Sequence, residues 1–384
     1  GRRGAGGRIR RDPDRSVSAR RLAAALVAVG VGVVPAGAQS ALLEPGISRE
    51  LARHRAATLS DVAYDAAFHI PSRREAPVTG SVTVSFRKSD DGPLILDFAD
   101  PTGVAAVRVD GAPASHRVEA THIVVPVPAG RHDVTLAFTA GNGPLNRRDE
   151  FLYTLFVPDR AHEAMPVFDQ PDIKARFRLR VTVPAEWTAV ANGEVLSREP
   201  VASGAEETGR GTGEAGRGTG EEDAANGGGA RVAYRFAETE PLPTYLVSFA
   251  AGRFRVEERE RAGHRMRLFH RETDSTKVAR NVETLFDLHG TALEWLEAYS
   301  GIPYPFGKFD FVAIPSFQYS GMEHPGAILY RASSLFLDES ATRNQELGRA
   351  SLIAHETAHM WFGDLVTMEW FDDVWMKEVF ANFM

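Results

Sequence analysis

Strict alternation of apolar and polar residues dominates the first two thirds of this chain. It runs through 81–86, 95–98, 107–109, 123–127, 134–138 and 177–183, so that Val82, Val84 and Phe86 fall on one side of the first run and Ser81, Thr83 and Ser85 on the other. A period of two marks a strand with one buried face. Asp91-Gly92, Asp110-Gly111 and Gly141-Asn142-Gly143 separate the runs with turn chemistry. From a short helix expected over 47–58 up to about residue 255, the pattern describes an antiparallel β domain. Residues 203–229 interrupt it, with GRGTGE at 209–214 and again at 216–221. That stretch has nothing to bury and is expected to be a flexible Gly-rich loop between two strands, because alternation resumes at Val232–Phe236.

The period changes after residue 255. Met266–Phe269 reads as a strand, and a helix of about 25 residues should end before Gly301. Val278, Val282, Leu285, Leu293, Leu296 and Tyr299 form its apolar face. Phe309–Pro315 and Ile328–Tyr330 read as strands around a loop at 320–327, and two more helices follow. Strands followed by helices make an α+β chain. The expected division is 39–255 and 256–384.

Residues 1–21 hold eight Arg and two Asp, and an uncharged run at 22–34 leads to Pro35 and Ala36-Gly37-Ala38. This is the build of a secretory signal peptide over 1–38, too short to span a membrane. It predicts an exported protein, periplasmic or extracellular, with no stable membrane anchor. Its removal takes the formal charge from −7 to −13, since the segment carries +6. An acidic chain without a basic block is a poor partner for nucleic acid. There is no Cys, so neither disulfides nor a Cys-ligated structural zinc is expected. Nothing in the sequence sets the oligomeric state.

The densest chemistry lies in 351–384. His355-Glu356-x-x-His359 places two imidazoles about 40° apart on one helix face, roughly 6 Å along the axis. Together they hold one metal ion. Glu356 is offset around the helix, beside the ion, where a carboxylate accepts a proton from a metal-bound water. The helix is expected to end near Gly363, and Asp372 or Asp373 to cap a second one. If that helix packs back antiparallel, Glu378 reaches the same ion. Two imidazoles, one carboxylate and an open position form a catalytic zinc pattern. The competing reading, two core histidines on an amphipathic helix, leaves buried imidazoles and a carboxylate without partners. Asn382, one turn after Glu378, is either an orienting partner of that ligand or an exposed helix-end residue. The chain stops at Met384 inside this second helix and reads as a fragment of a longer protein.

HETAHMWFGDLVT with WMKEVFANF, Ser320-Gly321-Met322-Glu323-His324-Pro325-Gly326-Ala327, and Pro166–Phe177 together resemble the zinc aminopeptidases of the aminopeptidase N type, which include the leukotriene-hydrolase-like enzymes. The resemblance covers about residues 45–384. It implies a saddle-like β domain followed by a thermolysin-like catalytic domain, cut short here at its C-terminus. It implies one Zn2+ held by His355, His359 and Glu378, Glu356 as general base, and removal of N-terminal residues from peptides. Gly321, Met322 and Glu323 would bind substrate, Glu323 taking the free α-ammonium. His324 and Ser320 depart from the family's usual Asn and Gly. Leu155 and Val157 stand where the family often has a Gln and a second amine-binding Glu, leaving amine recognition to Glu323. The family's transition-state Tyr would lie past Met384. The alternatives are a thermolysin-like endopeptidase, should Glu323 not reach the site, and a non-catalytic zinc-binding module in this truncated form.

Overall fold

The structure, a computed structural model, describes residues 42–201 and 229–384. The segment read as a signal peptide and both GRGTGE repeats lie outside the described residues. Within them, each alternating run forms a strand. Val78–Lys88 buries every second residue from Val78 through Phe86 and pairs antiparallel with Gly130–Ala140. An eight-stranded sheet runs in the order Val195–Val201, Arg231–Phe236, Arg176–Pro184, Leu59–His69, Val78–Lys88, Gly130–Ala140, Val104–Val109, Ala112–Pro113. Val195–Val201 and Arg231–Phe236 pair antiparallel on either side of the Gly-rich stretch, as an interrupted hairpin requires. Two three-stranded sheets complete this part.

The sheet is not wholly antiparallel. Leu59–His69 lies parallel to Arg176–Pro184, in register from Ala63 against Arg176 to His69 against Thr182. Alternation reports which face is buried and carries no information on strand direction, so this pair had no signal in the sequence.

A buried polar network holds the helix Arg49–Thr58 to this part. Arg55 and Asp97 are 2% and 1% exposed, and the guanidinium donates two 2.7 Å bonds to the carboxylate. His122 Nδ1 and the Asp169 backbone N–H, each 3.0 Å away, also serve Asp97. Burial alone would raise the Asp97 carboxyl, but Arg55 and then His122 hold it far below the usual carboxylate range.

The remaining sheet runs Arg255–Arg261, His264–His270, Phe309–Ile314, Ile328–Arg331, Gly321–Met322 and mixes parallel with antiparallel pairs. Its central strand Phe309–Ile314 is buried on both faces. Phe309, Phe311 and Ala313 pack on Val282, Leu285 and Phe286 of the helix Ser275–Ser300, while Val312 and Ile314 join the core of the N-terminal sheets. That helix begins at Asp274, which accepts from the backbone of Thr276 and Lys277, and ends at Gly301 with φ +68°. Tyr299 leaves the expected buried face. It is 56% exposed and stacks on Trp295, one turn earlier, at 4.8 Å.

Arg55→Met leaves Asp97 and His122 buried without the guanidinium. Removing one partner of a buried pair costs about 3–5 kcal/mol, and urea unfolding should show a loss of that size near neutral pH. A depressed carboxyl stabilises above its unfolded value, near pH 3.9, and loses that contribution as pH falls through the native value. The gap between wild type and variant should therefore narrow below about pH 4.

Candidate active site

The helix Arg343–Ala358 starts with a capping box, Thr342 and Gln345 bonding each other's backbone N–H. It ends at Ala358 rather than near Gly363. Beyond it, Met360 and Trp361 bond three residues back, and Asp364, Leu365 and Val366 five residues back, around Gly363 at φ +134°. His359 is the capping residue and keeps helical dihedrals, so the expected spacing of the two imidazoles survives. Their ring centroids are 4.6 Å apart. The second helix, Val374–Phe383, has Asp373 at its N-cap position but without a side-chain capping bond.

Three donor atoms converge where the two helices meet. His355 Nε2 and His359 Nε2 are 3.1 Å apart, and Glu378 Oε2 lies 3.3 Å from the first and 3.6 Å from the second. Donors bound tetrahedrally at the usual zinc distances of about 2.0–2.1 Å stand about 3.3–3.4 Å from one another. The three residues therefore fit a single zinc. The tautomer fits too: His359 Nδ1 donates to the Phe362 carbonyl at 3.0 Å, which leaves the Nε2 lone pair for the ion.

Glu356 and Glu323 sit beside these donors. Glu356 is 4% exposed, and Glu323, Glu356 and His359 bring one ligand atom each within 4.8 Å of one another. Burial, then the Glu323 charge, pushes the Glu356 carboxyl up to about 8. A Cβ on Gly321 would come within 2.2 Å of Glu356 Oε1, so only a glycine lets this carboxylate lie against the edge strand. Gly321–Met322 is itself that strand, paired antiparallel with Tyr330 and Leu329, and not part of a loop as the sequence suggested. Met322 packs into the core and is 4% exposed.

Sequence reading missed Lys377. Its ammonium contacts Glu323 Oε1 directly and lies 2.9 Å from Glu378 Oε1. Burial would raise the Glu323 carboxyl, yet Lys377 holds it down to about 2. The signal was a lysine directly before the last candidate ligand, in a helix already expected to face the site. Asp364 was missed as well: it is fully buried, neither carboxylate oxygen has a hydrogen-bond partner, and burial followed by Glu323 raises its carboxyl well above the ordinary range.

Other expected neighbours lie elsewhere. Asn382 is exposed and donates to the Glu378 backbone carbonyl at 2.8 Å, so it does not hold that residue's carboxylate. Leu155 is fully buried and Val157 packs against the same core, so neither offers an amine a partner. His324 is fully buried, and burial lowers its imidazole to about 4, which makes it neutral.

Two family models match the chain: the peptidase family M1 domain at residues 285–384 and the peptidase M1 N-terminal domain at 141–209. The chain is also similar to curated relatives. The puromycin-sensitive aminopeptidase of Caenorhabditis elegans is 34% identical over 242 residues, 62% of this chain and 22% of the relative. The leucyl aminopeptidase of Saccharolobus solfataricus is 34% identical over 231 residues, 60% of this chain and 26% of the relative. The probable aminopeptidase 2 of Sulfurisphaera tokodaii is 34% identical over 308 residues, 77% of this chain and 35% of the relative. The chain thus matches about a fifth to a third of the length of these relatives.

Glu378→Gln removes the one anionic donor of the three. Zinc affinity, read by competition with a chelating dye, should fall by more than the 10–100-fold that losing an outer-shell partner costs, while unfolding stability of the metal-free protein stays within about 1 kcal/mol. Unchanged affinity would remove Glu378 from the ligand set.

Proposed function

We propose that this member of the peptidase M1 family removes N-terminal residues from peptides with a free N-terminus. The observation that carries the reading is the convergence of His355, His359 and Glu378 beside two buried carboxylates, Glu356 and Glu323. Zinc, when held by the three donors, supplies a Lewis acid for the scissile carbonyl and lowers the pKa of water. Glu323 fixes the substrate's α-ammonium in the buried site, so that the first peptide bond lies at the metal. Glu356 takes a proton from the attacking water as its oxygen bonds to the carbonyl carbon. It returns the proton to the leaving nitrogen as the C–N bond breaks, which balances the hydrolysis.

The catalytic part is read as thermolysin-like over 256–384 and the N-terminal part as a saddle-like β domain over 39–255. A sheet covered by helices on one face, with the ligand helices beyond it, supports the first. The three further sheets support the second. Export rests on the N-terminal sequence alone.

A thermolysin-like endopeptidase is the second reading, and one observation favours it. Glu323 already carries the Lys377 ammonium, so an incoming amine must share that carboxylate. Hydrolysis of one short peptide by the zinc-loaded protein from the complete coding sequence, with its N-terminus free and then acetylated, separates the two. The aminopeptidase reading expects only the free peptide to be cut, one residue at a time. Internal cleavage, or equal cleavage of both, replaces it with the endopeptidase. Gly321→Ala should lower kcat by about 100-fold or more by displacing Glu356, with thermal unfolding little changed. Full activity in that variant would show that Glu356 does not need its observed position.

A further inference from the structure

A cavity of about 460 Å³ is lined by His355 together with Ser320, Ser333, Ser334, Gln345 and Arg349. Glu323 and Glu356 do not line it. It runs along the helix Arg343–Ala358, where Arg349 precedes His355 by six residues, about 9 Å of helix axis.

Arg349 is 8% exposed, and its guanidinium is tethered at one corner only. Nη1 donates to Asn281 Oδ1 at 2.6 Å and to the Leu335 carbonyl at 3.1 Å. Nε is buried without a hydrogen-bond partner, and Nη2 makes no hydrogen bond among the described residues. Nε and Nη2 are the side-on fork that grips a carboxylate with two parallel bonds. No acid among the described residues fills it: Glu346, one turn back, pairs with Arg343 at 3.2 Å. A buried cation that lines a cavity with its bidentate edge unfilled lacks a partner that its chemistry specifies.

We propose that this cavity receives the leaving end of a short peptide and that Arg349 binds its carboxylate. The proposal rests on the peptidase reading above. An extended residue spans about 3.3–3.6 Å, so 9 Å accommodates two or three residues beyond the scissile bond, as in tri- and tetrapeptides. Polar walls of Ser and Gln suit the backbone of such a segment. The carboxylate is either the peptide's C-terminus or an acidic side chain at the same distance.

The test uses the zinc-loaded full-length protein carrying Glu356→Gln to stop turnover. Calorimetry would measure binding of tri-alanine, tri-alanine amide and Ala-Ala-Glu amide. Tri-alanine should bind about tenfold or more tightly than its amide. Arg349→Met should abolish that difference while leaving the amide's affinity unchanged. Arg349→Lys, which keeps the charge and loses the fork, should retain only part of it. Tight binding of Ala-Ala-Glu amide would identify the side chain as the source of the carboxylate, and weak binding the C-terminus. Equal affinity of tri-alanine, its amide and Ala-Ala-Glu amide with Arg349 intact, or no binding of any of them, overturns the proposal whether or not Arg349→Met folds. So does a preference that survives Arg349→Met. Failure of the peptidase reading shows separately, as absence of alanine release by the protein with Glu356 intact.

Discussion

Buried negative charge at one point is the constraint on which the catalytic part depends. Glu323, Glu356 and Asp364 are each 4% exposed or less, and Glu378 reaches in from the second helix. Lys377 meets Glu323 and Glu378. Lys174 approaches from the N-terminal part but spends its bonds on the backbone carbonyls of Asp364 and Leu365, both at 2.8 Å. Two ammonium groups do not balance four carboxyls in a medium where an uncompensated charge costs several kcal/mol. The site answers in two ways. It raises the carboxyls of Glu356 and Asp364, and it raises the His359 imidazole to about 9, burial opposing this while Glu323 and Glu378 drive it. Each shift shows the same pull toward positive charge. A dication between His355, His359 and Glu378 meets that pull with one group.

The arrangement that holds these acids together depends on both halves of the chain. Glu323 follows the edge strand Gly321–Met322, and the turn after it is fastened to the N-terminal part. Asn192 Nδ2 donates to the carbonyls of Leu246 and Pro325, at 2.9 and 3.0 Å. Tyr245 reaches across to the Gly363 carbonyl at 3.1 Å, on the turn that orients His359. The five-stranded sheet, with one face on each core, makes these contacts rigid. The N-terminal sheets are therefore part of the positioning apparatus for Glu323 and His359.

Local chemistry was legible in the sequence wherever period and spacing determine it. His355, His359 and Glu378 meet because a helix repeat and a return helix leave them little alternative, and Val78–Lys88 alternates as its residues do. What escaped depends on neighbours distant in the chain. The parallel partnering of Leu59–His69 joins segments more than a hundred residues apart. Lys377 could be placed beside Glu378 by helix geometry, but its contact with Glu323 requires the edge strand 54 residues earlier. The end of the helix at Ala358 was misplaced because Gly363 was read as a cap, whereas it serves a wider turn with five-residue bonds. Tyr299 was assigned to a buried face because periodicity does not report which neighbours a helical position meets, and here it meets Trp295 on the surface.

The three donors are not held alike. His355 lies in, and His359 caps, a helix whose Ile353, Thr357 and Ala358 are fully buried, so their positions are set by the core. Glu378 comes from a helix in which only Ala381 is buried, with Trp375 61% and Phe383 75% exposed. That helix is held by the stacking of Phe380 on Phe362 at 5.3 Å and by charge, through Lys377 to Glu323 and through Glu378 to the two imidazoles. An ion that joins Glu378 to His355 and His359 would thus also fasten the second helix to the first, since a bond to the metal is shared by both elements it links. Ligation and docking of this helix are then one equilibrium. Breaking the Lys377–Glu323 contact weakens the position from which the third donor is offered.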